Sequence, residues 1–343
     1  MGRLRILVGL AISAGCIVAL ISQIDLGLAW SALTRANPLW LLVALVVLAA
    51  TMFTKIYRWR LLYYPTTGLR LGNLTSALFI GYMVLSLVPM RVGELVRAYL
   101  ISKTEPVSFG QSVGTILVEK VLDVATILVF LAGLGVFGLL PDLAVPGPAL
   151  VAMGLLPLAA LVALAALPRP TILGLLARAQ LHLPGSRRWN LVKTVGPFLD
   201  ALAVLRYRQL VPALVFWSAL NWGLSALANY VVMQAFDLRL PVAAAVFQMV
   251  VTNLGMVVPS APGYVGVFEG LTLMALAPYG VDRNQGLAYA VALHTFVYGA
   301  FIVVGLWCAW RGGYRLADLW GQRRAPQPAV SPLPGAVEEV VSP

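Results

Sequence analysis

The sequence predicts an all-α polytopic membrane protein with six full transmembrane helices and two broken re-entrant helical hairpins, related as inverted repeats. Three observations predict this fold class. The chain of 343 residues is 60% hydrophobic and 11% charged, with a mean hydropathy of +0.89, more apolar than a soluble domain of this size requires. Six segments stay apolar over about 20 residues, the length that a helix needs to cross a bilayer. Two further apolar segments are interrupted by proline and glycine beside a carboxylate.

The full crossings follow one another along most of the chain. They are predicted at about 4–23, 38–57, 111–140, 149–167, 210–235 and 285–310. The first has a basic flank and an apolar run too long for a usual signal peptide, which indicates a retained helix. Residues 1–324 are therefore predicted to form a single integral membrane domain, with a basic surface connector at 168–208. The proline-rich tail 325–343 is predicted to be disordered.

The two interrupted segments, 73–102 and 241–278, carry the unusual chemistry. The first contains LSLVPMRVGELVRAYL, and the second contains MVVPSAPGYVGVFEG. The predicted breaks in the hairpins are Pro89, Gly93, Pro259, Pro262, Gly263 and Gly266. Hydrocarbon cannot satisfy free backbone N–H and C=O groups, so irregular chain persists at membrane depth only inside protein or beside water. Such breaks in corresponding places of two halves point to a transport site between inverted repeats.

The basic residues predict the orientation of the chain. If each interrupted segment enters and leaves on one side, most of the 24 Lys and Arg residues, including Lys55 and Arg58, fall on the side of the N-terminus. Cytoplasmic loops carry such an excess, so both termini are predicted to be cytoplasmic, in a cell inner membrane. The repeats then cover about 38–140 and 210–310 and run in opposite directions. Anionic lipid headgroups explain the net charge of +11, and no nucleic-acid partner is expected.

Charged and polar residues inside the apolar segments predict the binding site. Glu119 and Asp123 are four residues apart and share a helix face. Two like charges at low dielectric favour either a shared proton or a basic partner, for which Arg91 and Arg97 are candidates. A structural ion cluster that pins the hairpin to the helix is an open alternative to a transport site. The full candidate set is Arg91, Glu94, Arg97, Glu119, Lys120, Asp123, Glu269, His294 and Tyr298.

His294 lies in the last apolar span, four residues before Tyr298. The two side chains share a face of the predicted helix, so Tyr298 is a candidate partner of the imidazole. An intramembrane histidine bonded to a neighbour is commoner than a proton relay. The structural role is therefore favoured, and a relay stays an alternative.

Three motifs resemble those of a known family, the flippase-like transmembrane region of lysylphosphatidylglycerol synthase, over about residues 4–315. They are PMRVGELVRAYL, VEKVLD and PSAPGYVGVFEG. The resemblance implies movement of lipids between leaflets, which in the synthases concerns the aminoacylated lipid made by an attached soluble domain. No such domain follows the motifs here, so synthase activity is not expected. Lys120 stands where arginine is expected and Tyr264 where glycine is usual, so the substrate is not carried over.

The expected function is translocation of an amphipathic lipid with an anionic or lipid-linked headgroup. The headgroup anion would be held by Arg91, Arg97 and Lys120. The path would be tuned by the carboxylates Glu94, Glu119, Asp123 and Glu269. No catalytic residues, metal or cofactor are expected, and membrane lipids are the expected partners.

Two other functions are weighed against the carrier. A membrane transferase acting on a lipid-linked substrate could use paired carboxylates as metal ligands or bases. A non-catalytic partner of a lipid-modifying enzyme is the second. The carrier is favoured because the loops are short and contain no nucleotide-binding motif. The lipid, the direction of movement, the energy source and the oligomeric state do not follow from the sequence.

Overall fold

The computed structural model describes residues 36–66, 68–88, 92–141, 171–174, 178, 204, 207–256 and 262–313, and these are helical with short connections and no strand. Their helices of ten residues or more are α1 Pro38–Leu61, α2 Leu71–Leu87, α3 Val92–Thr104, α4 Phe109–Val136, α5 Val211–Ala235, α6 Val242–Gly255, α7 Val267–Leu276 and α8 Arg283–Arg311. Short 3-10 turns at Pro262–Tyr264 and Ala277–Tyr279 precede and follow α7. The predicted spans 4–23 and 149–167, most of the connector and the tail lie outside the described residues.

The long helices have the composition of membrane spans. Within the described residues, α1, α5 and α8 are each long and apolar enough to cross a membrane. The 28 residues of α4 include Glu119, Lys120 and Asp123, whereas α2, α6 and α7 are apolar but shorter. These helices support a multi-pass membrane protein. A total of six crossings stays a prediction.

Each interrupted segment forms two helices that pack against each other, α2 with α3 and α6 with α7. In the first, α2 ends at Leu87 and α3 begins at Val92. In the second, α6 ends at Gly255 and α7 begins at Val267. The predicted interruption of both segments is therefore confirmed, and their re-entrant path through a membrane stays a prediction. The predicted break residues Pro89 and Pro259 and the candidate Arg91 lie outside the described residues.

Glycine determines how closely the paired helices approach. Gly93 lies in the first turn of α3, so the break ends before it. A β-carbon on Gly93 would lie 2.1 Å from the backbone oxygen of Gly81 in α2, which leaves no room for a side chain. In the second pair, a β-carbon on Gly255 would lie 2.5 Å from the side chain of Leu271 in α7.

The second break contains three residues with left-handed backbone. Gly263 has φ of 64° and Gly266 has φ of 82°, a conformation that glycine adopts without steric cost. Tyr264 has φ of 61° although it carries a β-carbon, at a cost of about 1–2 kcal/mol. The glycines and Pro262 at this turn fit the break predicted there.

The two described halves share one order of helices and one pattern of contacts. The first helices of the halves, α1 and α5, pack against each other. The second helix of each half packs against the last helix of the other half, α2 on α8 and α6 on α4. This reciprocal packing is compatible with inverted repeats, which stay a prediction. It brings the middles of α1, α4 and α5 together in the interior of the bundle.

Candidate functional site

A polar face of α1 points into the interior. Thr51, Thr54, Lys55 and Arg58 recur at the spacing of one helix face, and each is at most 7% exposed. Because α1 continues to Leu61, one turn beyond the predicted end at residue 57, Arg58 is helical like Lys55, and both side chains are buried inside the bundle. Lys55 and Arg58 are therefore buried helix residues rather than loop charges, as is Arg97, and the side of the membrane on which they lie stays a prediction.

Two carboxylates of α4 receive these cations. The Arg97 guanidinium of α3 donates to Glu119 Oε2 at 2.7 Å, and Arg58 Nη2 donates to Asp123 Oδ1 at 2.5 Å. Lys55 Nζ lies 3.3 Å from Glu119 Oε1 and 3.5 Å from Asp123 Oδ2. We call these five residues the buried ion network. With three cations and two carboxylates, it carries a formal excess of one positive charge.

Hydrogen bonds from α5 add to the pairing of this network, in which Arg58 Nε, Arg97 Nε and Glu119 Oε1 have no hydrogen-bond partner among the described residues. Arg58 Nη1 donates to Ser218 Oγ at 2.9 Å, and Trp222 Nε1 donates to Asp123 Oδ1 at 3.0 Å. A buried charge is tolerated only when it is paired and hydrogen-bonded. The contacts therefore hold α1 and α4 of the first half against α5 of the second half.

Arg97 and Lys120 have different environments. The Arg97 side chain is 5% exposed, and its guanidinium lies 3.5 Å from the centre of the Trp59 ring. Lys120 Nζ lies 3.0 Å from Glu94 Oε1, in a pair whose side chains are 35% and 24% exposed. Arg97 is thus buried, whereas the Lys120–Glu94 pair is partly exposed.

A second polar cluster joins α7 and α8. Glu269 Oε1 lies 2.5 Å from His294 Nδ1, and Glu269 Oε2 accepts a hydrogen bond from the backbone N–H of Gly266 at 2.7 Å. The His294 ring lies 4.3 Å from the Tyr298 ring, centre to centre. The predicted proximity of His294 and Tyr298 is confirmed, but the carboxylate is the hydrogen-bond partner of the imidazole. The cluster also caps α7 at the second break.

Two adjoining cavities lie between the two clusters. The first, the amide cavity, has a volume of about 200 Å³ and is bounded chiefly by α1, α5, α6 and α8. The second, the charged cavity, has a volume of about 180 Å³ and is bounded chiefly by α1–α6. Their shared lining residues are Lys55, Tyr82, Trp222, Asn253, Met256 and Tyr298. The Lys55 ammonium is therefore positioned at the junction of the two cavities.

The lining separates the predicted site residues into two groups. Those that line a cavity are Glu94, Lys120, Asp123 and Tyr298. Those that lie outside the lining are Arg97, Glu119, Glu269 and His294. Sequence reasoning did not propose the amide side chains of the first cavity, Asn221, Asn229, Gln248 and Asn253.

An apolar helical bundle with a buried ion network beside polar cavities defines a polytopic membrane protein with a polar site in its interior. Residues 6–305 match the family described as the lysylphosphatidylglycerol synthase transmembrane region, and the chain belongs to this family. The resemblance inferred from the three motifs is confirmed.

Two relatives are similar to the chain. Glycosyltransferase AglD of Haloferax volcanii is 27% identical, over 88% of this chain and 53% of that protein. The UPF0104 membrane protein MJ1078 of Methanocaldococcus jannaschii is 22% identical, over 64% of this chain and 90% of that protein. The chain thus spans about half the length of AglD. No solved structure matches the chain.

Proposed function

We propose that this protein binds the anionic headgroup of an amphipathic lipid in the two cavities and moves it between membrane leaflets. The excess positive charge of the buried ion network, beside cavities in an apolar bundle, is the observation that carries the proposal. A net charge in low dielectric is costly even when each cation has a contact, so an anion that neutralises it is favoured. A lipid phosphate supplies this charge while its chains stay in hydrocarbon.

Lys55 is the cation that first meets the headgroup. Its Nζ lies 3.3 Å from Glu119 and 3.5 Å from Asp123, whereas Arg58 and Arg97 lie 2.5 Å and 2.7 Å from the carboxylates that they bond. Lys55 also lines both cavities. A lysine ammonium binds phosphate as a point charge on a flexible stem. Lys120 reaches the charged cavity as a second cation, and Glu94 balances it when no anion is bound. Arg97 contributes to the local potential from behind the cavity wall.

The reciprocal packing of the halves supports alternating access to this site. In inverted-repeat transporters, substrate sites lie where discontinuous helices of the repeats meet, and one repeat moves against the other. The broken pairs α2–α3 and α6–α7 both contribute lining residues, among them Tyr82, Glu94 and Asn253. With the orientation inferred from basic residues, the site connects the leaflets of an inner membrane and both termini are cytoplasmic.

A second candidate is a membrane part of, or partner to, an enzyme that modifies a lipid-linked substrate. The name of AglD favours it, because the matched region is 53% of a protein called a glycosyltransferase. The geometry supports binding over catalysis in this region, since Glu119 and Asp123 are engaged by cations and are not free to act as bases.

Lipid movement by the purified chain tests the proposal. Proteoliposomes containing fluorescent phosphatidylglycerol are treated with a membrane-impermeant quencher, and the accessible fraction is followed over time. We expect movement with the wild-type chain, slowed about tenfold by Lys55→Met, as for loss of a charge-assisted hydrogen bond. Lys103→Met is the control, because Lys103 is exposed on α3.

Wild-type proteoliposomes with no faster quenching than protein-free liposomes would refute translocation. A new lipid species in the mass spectrum of the incubated membranes would instead support the enzymatic candidate.

A further inference from the structure

We propose that the amide cavity is a subsite for the neutral, hydroxyl-rich part of the anionic lipid headgroup, and that the site selects against cationic, aminoacylated headgroups. The inference rests on the proposed function and specifies its substrate class. It follows from the different chemistry of the two adjoining cavities. Carboxylates and cations line the charged cavity, while side-chain amides and hydroxyls line the amide cavity around the ammonium of Lys55.

The polar wall of the amide cavity comes from α1, α5 and α6. Its uncharged polar side chains, apart from tyrosine and tryptophan, are Thr51, Asn221, Ser225, Asn229, Gln248, Thr252 and Asn253. Gln248 is fully buried, and its Oε1 atom has no hydrogen-bond partner among the described residues. Its Nε2 atom lies 3.4 Å from Thr272 Oγ1. A buried amide oxygen in this state is a site for a donor from a ligand.

Two asparagines beside Gln248 also have capacity for a ligand. Asn253 donates through Nδ2 to the backbone oxygen of Met249 at 2.9 Å, a bond that does not use its Oδ1. Asn221 accepts from Thr54 through Oδ1 at 3.3 Å, a bond that does not use its Nδ2. The wall thus offers both acceptors and donors.

Hydroxyl groups match this wall because each donates and accepts hydrogen bonds. An ammonium group only donates, and in this cavity it would lie near Lys55 and a network that already carries excess positive charge. With a phosphate at Lys55, the attached polyol would enter the amide cavity. Together the cavities reach the lower part of the range of about 300–1,000 Å³ that is usual for small-molecule sites.

The test compares which lipids stay bound to the purified full-length chain. The protein is equilibrated with equimolar phosphatidylglycerol, phosphatidic acid, lysyl-phosphatidylglycerol and a hexosyl phosphopolyprenol, and retained lipids are quantified by native mass spectrometry. We expect the retained amount of phosphatidylglycerol or of the hexosyl lipid to exceed that of phosphatidic acid and of the lysyl lipid about tenfold. Roughly one buried hydrogen bond produces a ratio of this size. Retention of the glycerol lipid indicates a membrane phospholipid as the source, and retention of the hexosyl lipid indicates a glycosylated carrier lipid.

Gln248→Met is expected to reduce the preference over phosphatidic acid about fivefold, as one hydrogen-bonding group is lost. Gln285→Met is the matched control, because Gln285 is exposed in the first turn of α8 and lines neither cavity. Equal retention of phosphatidic acid, stronger retention of the lysyl lipid, or unchanged selectivity in Gln248→Met overturns the inference. Selective retention without movement in proteoliposomes overturns translocation alone, and movement without headgroup selection overturns the subsite alone.

Discussion

Replacing Arg58 with Met tests how strongly the buried ion network stabilises the bundle. Arg58 is fully buried and bonds both Asp123 and Ser218. The substitution leaves Asp123 with Trp222 at 3.0 Å and with Lys55 at 3.5 Å. Removing one partner of a buried pair costs about 3–5 kcal/mol, because the other charge stays buried with fewer partners. We therefore expect Arg58→Met to lower the free energy of unfolding by an amount in this range.

The free energy of unfolding can be measured in mixed micelles by titration with a denaturing detergent, followed by tryptophan fluorescence. Arg239→Met is the control for the same exchange, because Arg239 pairs with Asp237 at the surface with side chains 85% and 81% exposed. Such exposed pairs contribute less than about 1 kcal/mol. If Arg58→Met lowers the free energy of unfolding no more than Arg239→Met does, the structural role of the network is refuted.

Two glycine substitutions test the helix breaks. Gly93→Ala places a β-carbon 2.1 Å from backbone oxygen, so we expect a loss of about 3 kcal/mol, the upper part of the usual range for overpacking. Gly133→Ala on α4 meets no atom within 4 Å and should not destabilise. Gly266→Ala meets no atom either, but its φ of 82° predicts a loss of about 1–3 kcal/mol, whereas Gly270→Ala inside α7 should gain up to about 1 kcal/mol. Thermal unfolding compares each pair, and equal stability within a pair would contradict the corresponding argument.

The interrupted segments were predictable because their signals are local. A proline within an apolar run ends a helix, and the observed gap after Leu87 includes Pro89. The second gap, after Gly255, likewise includes Pro259. The pairing of Arg97 with Glu119 could be predicted for a similar reason. A carboxylate in an apolar helix requires a cation, and few basic residues lie within the apolar segments.

Lys55 and Arg58 were missed as site residues because both were counted among the basic residues of a cytoplasmic loop. The helix continues to Leu61, so the basic residues that marked a loop belong to its interior face. Their spacing with Thr51 and Thr54 was a usable signal, since a polar stripe on an apolar helix faces protein. The cavities had no such signal, because amides from separate helices such as Asn221 and Gln248 meet only through tertiary packing.

The bonds from Arg58 to Ser218 and from Trp222 to Asp123 cross from one half of the chain to the other. If the halves descend from a duplicated ancestor, they have not been free to diverge independently at these positions. A chimera that takes the second half from a relative with other residues there would leave Arg58 and Asp123 each without one hydrogen-bond partner. Substitutions at Ser218 or Trp222 are therefore constrained by residues in the other half of the chain.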